Sequence, residues 1–181
     1  MQFSLQTKRL LLRDIREEDA QAMFEMDSDT EVHRYLGNQP VASVKEVEEV
    51  IRYIQQQYKE HGIGRWAVVE KDTGEFVGWC GLKLIKEEVN GHSHFYDLGY
   101  RFLKKYWGRG YATETALASI EYGFSTMHLE EICAMADINN SVSNHVLQKI
   151  GMTRTGTFLF DGIEHYFYKI LREGWQRISD R

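Results

Sequence analysis

Hydrophobic and polar positions change their spacing several times along the chain, and each change predicts a new element. Residues 9–15 favour a first strand, and residues 17–27 favour a helix with its apolar positions on or near one face. Residues 44–61 repeat apolar residues at spacings of three and four, which predicts an amphipathic helix with a strongly charged outer face. Ser43 can cap the start of that helix, and Gly62 can end it.

The rest of the chain predicts strands and helices in mixed order, with several strands joined by short turns. The further segments are strands over 64–70, 75–85 and 95–103, a helix over 108 to about 126, a strand over 131–138, a helix over 140–150 and a closing hairpin about Asp161-Gly162. Because the middle strands follow one another through short turns, the pattern favours an α+β fold with a mixed sheet over a doubly wound parallel sheet.

Composition describes an ordinary globular chain with one core. The 181 residues are 43% hydrophobic, and no linker or repeat divides them, so we expect a single domain over residues 1–181. No run approaches the roughly 18 apolar residues of a membrane span, and the charged N-terminus is unlike a signal peptide. Cys80 and Cys133 lack metal or redox spacing, so we expect buried thiols, no metal and a cytoplasmic location. The net charge of −5 argues against nucleic acid as the main partner.

The stretch WGRGYATET (107–115) is the clearest candidate for a ligand site. Gly108 and Gly110 can adopt backbone angles closed to other residues and allow close approach of a ligand. The helix that follows begins with free N–H groups and the positive end of its dipole, an arrangement suited to a phosphate or pyrophosphate. Arg109 adds a charged donor.

Two familiar phosphate motifs do not fit this stretch. The dinucleotide fingerprint fails because Thr113 stands where its third glycine should be, and no P-loop GK[ST] occurs anywhere in the chain. Two glycines alone leave a ligand site and a plain glycine-rich helix entry equally open. Similarly, His92 and His94 follow Asn90-Gly91, which favours an exposed hairpin over a pair of metal ligands.

Two longer segments resemble the acetyl-CoA core of the GNAT superfamily of N-acetyltransferases: YDLGYRFLKKYWGRGYATETALASIEYGF (96–124) and ICAMADINNSVSNHVLQKIGM (132–152). The RimJ/RimL-like branch, which acetylates ribosomal-protein N-termini, is the most similar group within it. The two ends of the chain also look like the ends of that branch, so the resemblance covers nearly all residues. It implies a mostly antiparallel central sheet of about seven strands with helices on both faces.

The resemblance also implies a binding mode for acetyl-CoA as cosubstrate. Backbone groups at the end of a strand would hold the pantetheine arm, N–H groups of the glycine turn would hold the pyrophosphate, and the next helix would reach the pantetheine or the sulfur. The residues implied in these roles are Phe102, Leu103, Trp107, Gly108, Arg109, Gly110, Tyr111, Ala112, Thr113, Asn140 and Ser143. For Asn140 and Ser143, helix capping is the simpler role, and both roles can coexist.

The chain departs from the superfamily in one catalytic position. The tyrosine acid common in the last helix of the core would fall at Leu147, which cannot donate a proton. Asp97 and Glu164 match acidic positions of the family and are the candidate bases, with a solvated charge at a strand end as the alternative for each. Ser143 could donate a hydrogen bond to the leaving thiolate.

Three functions remain open from the sequence. The first is direct acetylation of a protein or peptide N-terminal α-amine, without a covalent enzyme intermediate. The second is acetylation of a small amine, such as a polyamine, an amino sugar or an antibiotic. The third is an acetyl-CoA-binding module without turnover. We expect a monomer or a homodimer in each case.

Overall fold

The computed structural model describes residues 3–179, with side chains up to residue 175. Its eight strands form one sheet in the order β1-β2-β3-β4-β5-β6-β8-β7. The strands are β1 (Ser4–Gln6), β2 (Leu10–Asp14), β3 (Arg65–Glu70), β4 (Phe76–Ile85), β5 (Phe95–Phe102), β6 (Glu131–Asp137), β7 (Thr153–Phe160) and β8 (Ile163–Leu171). The pairing is antiparallel everywhere except between β5 and β6, which run parallel. The expected mixed, mostly antiparallel sheet is therefore confirmed.

Helices fill the connections between the strands. They are α1 (Ala20–Asp27), α2 (Thr30–His33), α3 (Val44–His61), α4 (Tyr111–Ser125), α5 (Ser141–Lys149) and α6 (Arg172–Ser179), with short 3-10 turns at Glu17–Asp19 and Lys104–Tyr106. Helix α3 begins as predicted, because the Ser43 side chain accepts from the Glu46 N–H, and it ends at Gly62 in the left-handed conformation. None of the helices between residues 3 and 179 is long and apolar enough to cross a membrane.

The sheet buries both of its faces, as the amphipathic patterns require. On one face, apolar residues of α1 and α3 pack over β3, with Met23, Val47 and Ile51 each 1% exposed. On the other face, α4 and α5 complete the larger core through Ala116, Ile120 and Leu147. Helices therefore flank both faces, and β5 and β6 occupy the middle of the sheet between them.

Candidate active site

The glycine turn follows directly from the end of β5. Gly108 and Gly110 have φ angles of 74° and 79°, in the left-handed region, and α4 begins at Tyr111. No acceptor within the described residues takes a hydrogen bond from the backbone N–H groups of residues 108–113. A β-carbon on Gly108 would have nothing within 4 Å, so the space next to the turn at this residue is open. These free donors and the α4 dipole make the turn suitable for an anionic group.

Side chains on both sides hold the turn in this shape. The Trp107 indole N–H donates to the Phe102 carbonyl at 2.8 Å, and the Arg9 guanidinium donates to the Arg109 carbonyl at 2.9 Å. Arg9 also binds Glu114 in the first turn of α4, with 2.7 Å between guanidinium nitrogen and carboxylate oxygen. The start of β2 thus fixes the start of α4, so the open amides keep a defined geometry.

Two tyrosines anchor the underside of the turn to the β3–β4 connection. The Tyr106 and Tyr111 hydroxyls donate to the carboxylates of Glu75 and Glu70. The hydrogen bond to Glu75 raises the pKa of Tyr106 to about 12. The Arg109 guanidinium lies 5.0 Å from the centre of the Tyr106 ring, a cation–π distance that orients its charge beside the turn.

A gap opens between β5 and β6 beside this turn. The two parallel strands share one paired position, Asp97 with Cys133, and no further paired position joins β5 to β6 on the way to their C-terminal ends. Helix α5 follows β6 at the wide end of the gap. Its cap is Asn140, whose side-chain oxygen accepts from the Ser143 N–H at 3.1 Å, so the predicted capping role is observed. The Ser143 hydroxyl lies 3.1 Å from the Tyr100 hydroxyl on β5, so the two walls of the gap are joined by this contact.

The remaining residues implied for cofactor binding lie around this gap and turn. Phe102 and Leu103 are buried in the core, and the Leu103 N–H donates to the Val77 carbonyl. That donor is therefore already used by the sheet, which restricts any pantetheine contact to the other backbone groups of this segment. Ala112 and Thr113 lie in the first turn of α4, next to the glycines.

Asp97 is buried, with a 6% exposed residue surface, and forms an ion pair with Arg65 of β3. Arg65 reaches across β4 and donates to Oδ2 of Asp97, while Oδ1 receives no hydrogen bond from the described residues. Burial raises the pKa of the Asp97 carboxyl, although the Arg65 guanidinium opposes the shift. A carboxylate with one free oxygen and a raised pKa is a stronger base than an ordinary solvated carboxylate.

Glu164, the other candidate base, lies in a different part of the sheet. Its side chain is exposed, and its carbonyl accepts from the Ile138 N–H just beyond the end of β6. Asp97 on β5 pairs with Cys133 on β6, and Cys133 pairs in turn with Lys169 on β8. Lys169 lies five residues beyond Glu164 on the same strand. At about 3.3 Å per residue, the two carboxylates are about 16 Å apart along the strands. They cannot act on one proton together.

Neither the cysteines nor the histidine pair forms a reactive centre. Cys80 and Cys133 are buried, and burial raises the pKa of both thiols, that of Cys133 to about 12. His92 lies in the predicted hairpin turn, paired with Val89, and stacks on Phe167 with 5.0 Å between ring centres. Across residues 3–175 no group of His, Cys, Asp and Glu side chains is placed to hold a metal.

Sequence reasoning missed Tyr100 and Arg65. In the sequence, Tyr100 stood out only as the residue directly after Gly99 in a motif. The alternation of side chains on β5 puts it on the face opposite Asp97, toward α5. Arg65 gave no signal, because its partner is 32 positions away in the sequence.

Comparison with known proteins agrees with this geometry. The acetyltransferase (GNAT) domain family matches residues 9–153. The uncharacterized N-acetyltransferase YoaA of Bacillus subtilis is 31% identical over 91% of this chain and 88% of its own length. The FsC-acetyl coenzyme A-N(2)-transacetylase of Aspergillus fumigatus is 30% identical over 97% of this chain and 79% of its own.

A solved structure gives the same result for the fold. The GNAT-family acetyltransferase from Bacillus anthracis superimposes with a TM-score of 0.79 at 29% identity, covering 94% of this chain and 99% of that one. Since the family match spans most of the chain, an enzyme is favoured over the alternative of an acetyl-CoA-binding module without turnover. The chain belongs to the GNAT acetyltransferase family and is an N-acetyltransferase that uses acetyl-CoA as cosubstrate.

Proposed function

We propose that residues 1–181 form one acetyltransferase domain that moves the acetyl group of acetyl-CoA directly to the α-amine of a protein or peptide N-terminus. The observation that carries the proposal is the open glycine turn, whose free N–H groups lie beside the gap between β5 and β6. The two buried thiols suit a reducing cytoplasm, and neither is placed as a nucleophile, which supports direct transfer.

The pyrophosphate of acetyl-CoA would bind the N–H groups of residues 108–113, with the Arg109 guanidinium as a charged donor. The open space next to Gly108 and the dipole of α4 support this assignment. The pantetheine arm would lie in the gap along β5, between the paired position at Asp97 and the strand end at Phe102. Asn140 and Ser143 would close the gap from the side of α5.

Asp97 is the base that the geometry favours. Its Oδ1 is free, its pKa is raised by burial, and Arg65 fixes the carboxylate by holding Oδ2. An α-amine has an ordinary pKa of about 7.7–8.0, so neutralising it at pH 7 costs about 1 kcal/mol, whereas a lysine-type amine at about 10.4 costs about 4–5 kcal/mol. A single carboxylate held in an ion pair is a sufficient base for the lower deprotonation cost of an α-amine, and this supports an α-amine as acceptor.

A small-molecule amine is the second candidate acceptor. The Aspergillus relative favours it, since the name of that enzyme, FsC-acetyl coenzyme A-N(2)-transacetylase, specifies FsC and an N(2) position. The RimJ/RimL-like branch, with ribosomal-protein N-termini as acceptors, is the form of the first candidate that the motif resemblance favours. The two candidates share the cofactor site and differ in the acceptor alone.

Release of free thiol from acetyl-CoA tests the proposal with a matched acceptor panel. The panel pairs peptides carrying a free N-terminus with the same peptides N-terminally blocked, and adds spermidine and an amino sugar. We expect saturable turnover with the free peptides and none with the blocked ones. Turnover with the small amines alone would replace the first candidate by the second, and no turnover with any acceptor would refute both.

The base is tested by comparing two isosteric variants. Asp97→Asn is expected to lower kcat about 100-fold, within the usual contribution of general-base catalysis, and to remove the acidic limb of the pH–rate profile. Glu164→Gln serves as the matched control, because that side chain is exposed and about 16 Å away along the strands. A larger loss in Glu164→Gln than in Asp97→Asn would transfer the role to Glu164.

A further inference from the structure

A buried cluster of charged and titratable side chains joins α1 and α2 to the end of β5. Its members are Asp27 at the end of α1, His33 in α2 and Arg101 on β5, and Asp27 and His33 are 6% and 7% exposed. The Arg101 guanidinium donates to Oδ1 of Asp27 at 2.7 Å, and Nε2 of His33 lies 3.8 Å from the same oxygen. The Asp27 carboxylate therefore stands between a permanent cation and a titratable ring.

His33 lacks the hydrogen bonds that a buried polar ring usually makes. Within the described residues neither Nδ1 nor Nε2 has a hydrogen-bond partner, and both atoms are shielded from solvent. Nε of Arg101 is buried without a partner in the same way. Because buried polar atoms are nearly always paired, two unpaired ring nitrogens are an unusual feature of this cluster. A neutral imidazole tolerates such a site better than an imidazolium, which would lose its hydration beside the Arg101 charge.

The chain between α1 and α3 depends on His33 for its position. In this α1–α3 segment (residues 28–43), Val32 and His33 are the two buried residues. The N–H groups of Leu36 and Asn38 donate to the His33 carbonyl at 2.9 and 3.1 Å, so the turn that follows α2 is attached to the same residue. A segment with so few buried contacts opens at a lower cost than the whole domain.

The α1–α3 segment also borders a cavity of 370 Å³ close to the glycine turn. Glu25 and Asp29 line one side of the cavity, and Leu103, Lys104 and Lys105 line the other. The second group leads directly from β5 into the glycine turn. Movement of the segment therefore changes the surroundings of the residues that precede the turn.

We propose that His33 is a pH-sensitive switch for the α1–α3 segment: the neutral ring keeps the segment docked, and protonation of the ring detaches it. Detachment removes one wall of the cavity beside the glycine turn and so weakens the binding of acetyl-CoA. This second step rests on the placement of acetyl-CoA given under the proposed function, whereas the switch itself does not.

The charged groups that face His33 set the sign of the pH dependence. Burial lowers the pKa of His33, and the Arg101 charge lowers it further, while the Asp27 carboxylate opposes both. Glu31 and Arg34 are exposed neighbours on the same segment. In the detached form the ring lies in water with an ordinary pKa of about 6.5, so this form binds the proton more tightly. The docked form is therefore fully favoured above about pH 6.5 and becomes less favoured as pH falls below that value.

Hydrogen exchange followed by NMR tests the switch in the protein without ligand. The reporters are the amides of Leu36 and Asn38, with exchange rates corrected for the intrinsic rate at each pH. Between pH 7.5 and pH 5.0 the opening constant of wild type should rise, up to the limit of about 30-fold for one proton bound at a pKa of about 6.5. His33→Phe keeps a ring in the same place and cannot titrate, so its opening constant should be equal at the two pH values.

Two further variants keep the test decisive. His145→Phe is the matched control, because His145 is an exposed helical residue, and its opening constant should change with pH as in wild type. Arg101→Met removes the charge beside the ring, so it should raise the pKa of His33 in an NMR titration and reduce the rise in opening. An equal rise in wild type and His33→Phe, or a His33 ring that titrates like His145, would overturn the switch.

Calorimetric titration of acetyl-CoA at the same two pH values tests the second step. The loss of affinity between pH 7.5 and pH 5.0 should be larger in wild type than in His33→Phe, and the comparison cancels titration of the cosubstrate itself. Equal losses would refute the link between the segment and acetyl-CoA binding. Failure of acetyl-CoA to bind folded wild type at pH 7.5 would instead refute the proposed cofactor site and leave the switch standing.

Discussion

Replacing Arg9 by methionine is the clearest test of how the glycine turn is held. Arg9 binds Glu114 through Nε and a terminal nitrogen, each at 2.7 Å, and donates to the Arg109 carbonyl at 2.9 Å. Its guanidinium also lies 4.7 Å from the centre of the Tyr111 ring. Methionine keeps most of the apolar stem and removes every one of these contacts, so the start of α4 loses its link to β2.

The expected loss of stability is about 2 kcal/mol. The Arg9 side chain is 43% exposed, so solvent reduces the ion pair to the range of exposed pairs, about 0.2–1 kcal/mol. The hydrogen bond to the Arg109 carbonyl adds about 1 kcal/mol, and the contact with Tyr111 adds about 0.5 kcal/mol. Glu114 keeps its hydrogen bonds from the Thr7 hydroxyl and the Arg9 N–H, so it is not left without donors.

Thermal unfolding measures this loss, and calorimetry measures its effect on the site. At about 2–4 °C per kcal/mol for a chain of this size, the melting temperature should fall by about 4–8 °C. Acetyl-CoA affinity should fall as well, because the turn must be ordered on binding. Arg16→Met is the matched control: the Arg16 side chain is 42% exposed, close to the value for Arg9, and loss of its pair with the more exposed Glu18 should change stability by less than about 0.5 kcal/mol. Equal effects of the two substitutions would refute the anchoring role of Arg9.

Two further predictions concern the same helix. Burial alone would raise the pKa of Glu114, but hydrogen bonds from Thr7 and Arg9 outweigh it and lower the pKa below 4.5. Wild type should therefore have a larger free energy of unfolding than Glu114→Gln above about pH 4.5, and this difference should disappear as pH falls below that value. Urea unfolding at several pH values measures the difference, and a difference that stays constant at all pH values would contradict this. Gly123→Ala would place a β-carbon 2.8 Å from Ile132, so we expect a net loss of about 1 kcal/mol, in contrast to Gly156→Ala, which has open space.

The pattern of the chain was sufficient for most of the fold. Helix α3 and the final hairpin follow from local signals, since a capping serine, an ending glycine and a turn dipeptide act within a few residues. Strand β1 and helix α2 were missed because elements of three and four residues are too short for a period to show. Phe3, directly before β1, stacks on Trp66 with 4.0 Å between ring centres. This contact joins positions far apart in the sequence, so no local pattern could show it.

The site could be predicted less fully, and the reason is physical. The glycine turn and the cap at Asn140 depend on neighbouring residues, so their positions were readable. The partners of the catalytic candidates depend on how strands align, which no local pattern encodes. Periodicity can place Asp97 on one face of β5, but it cannot show that Arg65 reaches it across β4, or that Ser143 meets Tyr100.

The central claim is that the open turn at Gly108 and Gly110 binds the pyrophosphate of acetyl-CoA. Its most direct test is calorimetric titration of acetyl-CoA into wild type, Gly110→Asp, Gly110→Asn and Gly62→Asp. Gly62 has a similar left-handed conformation, with φ 69°, and open space around it, so it controls for backbone strain. Gly110→Asn tests the added bulk without the charge.

We predict tight binding by wild type and by Gly62→Asp, and a loss of about 100-fold in Gly110→Asp, equivalent to about 2.7 kcal/mol of charge repulsion and lost contact. Gly110→Asn should fall between them, because the added side chain occupies the turn without repelling the phosphates. Circular dichroism verifies that each variant is folded. Binding by Gly110→Asp as tight as that of Gly62→Asp would contradict the account, and the anion site would have to lie elsewhere.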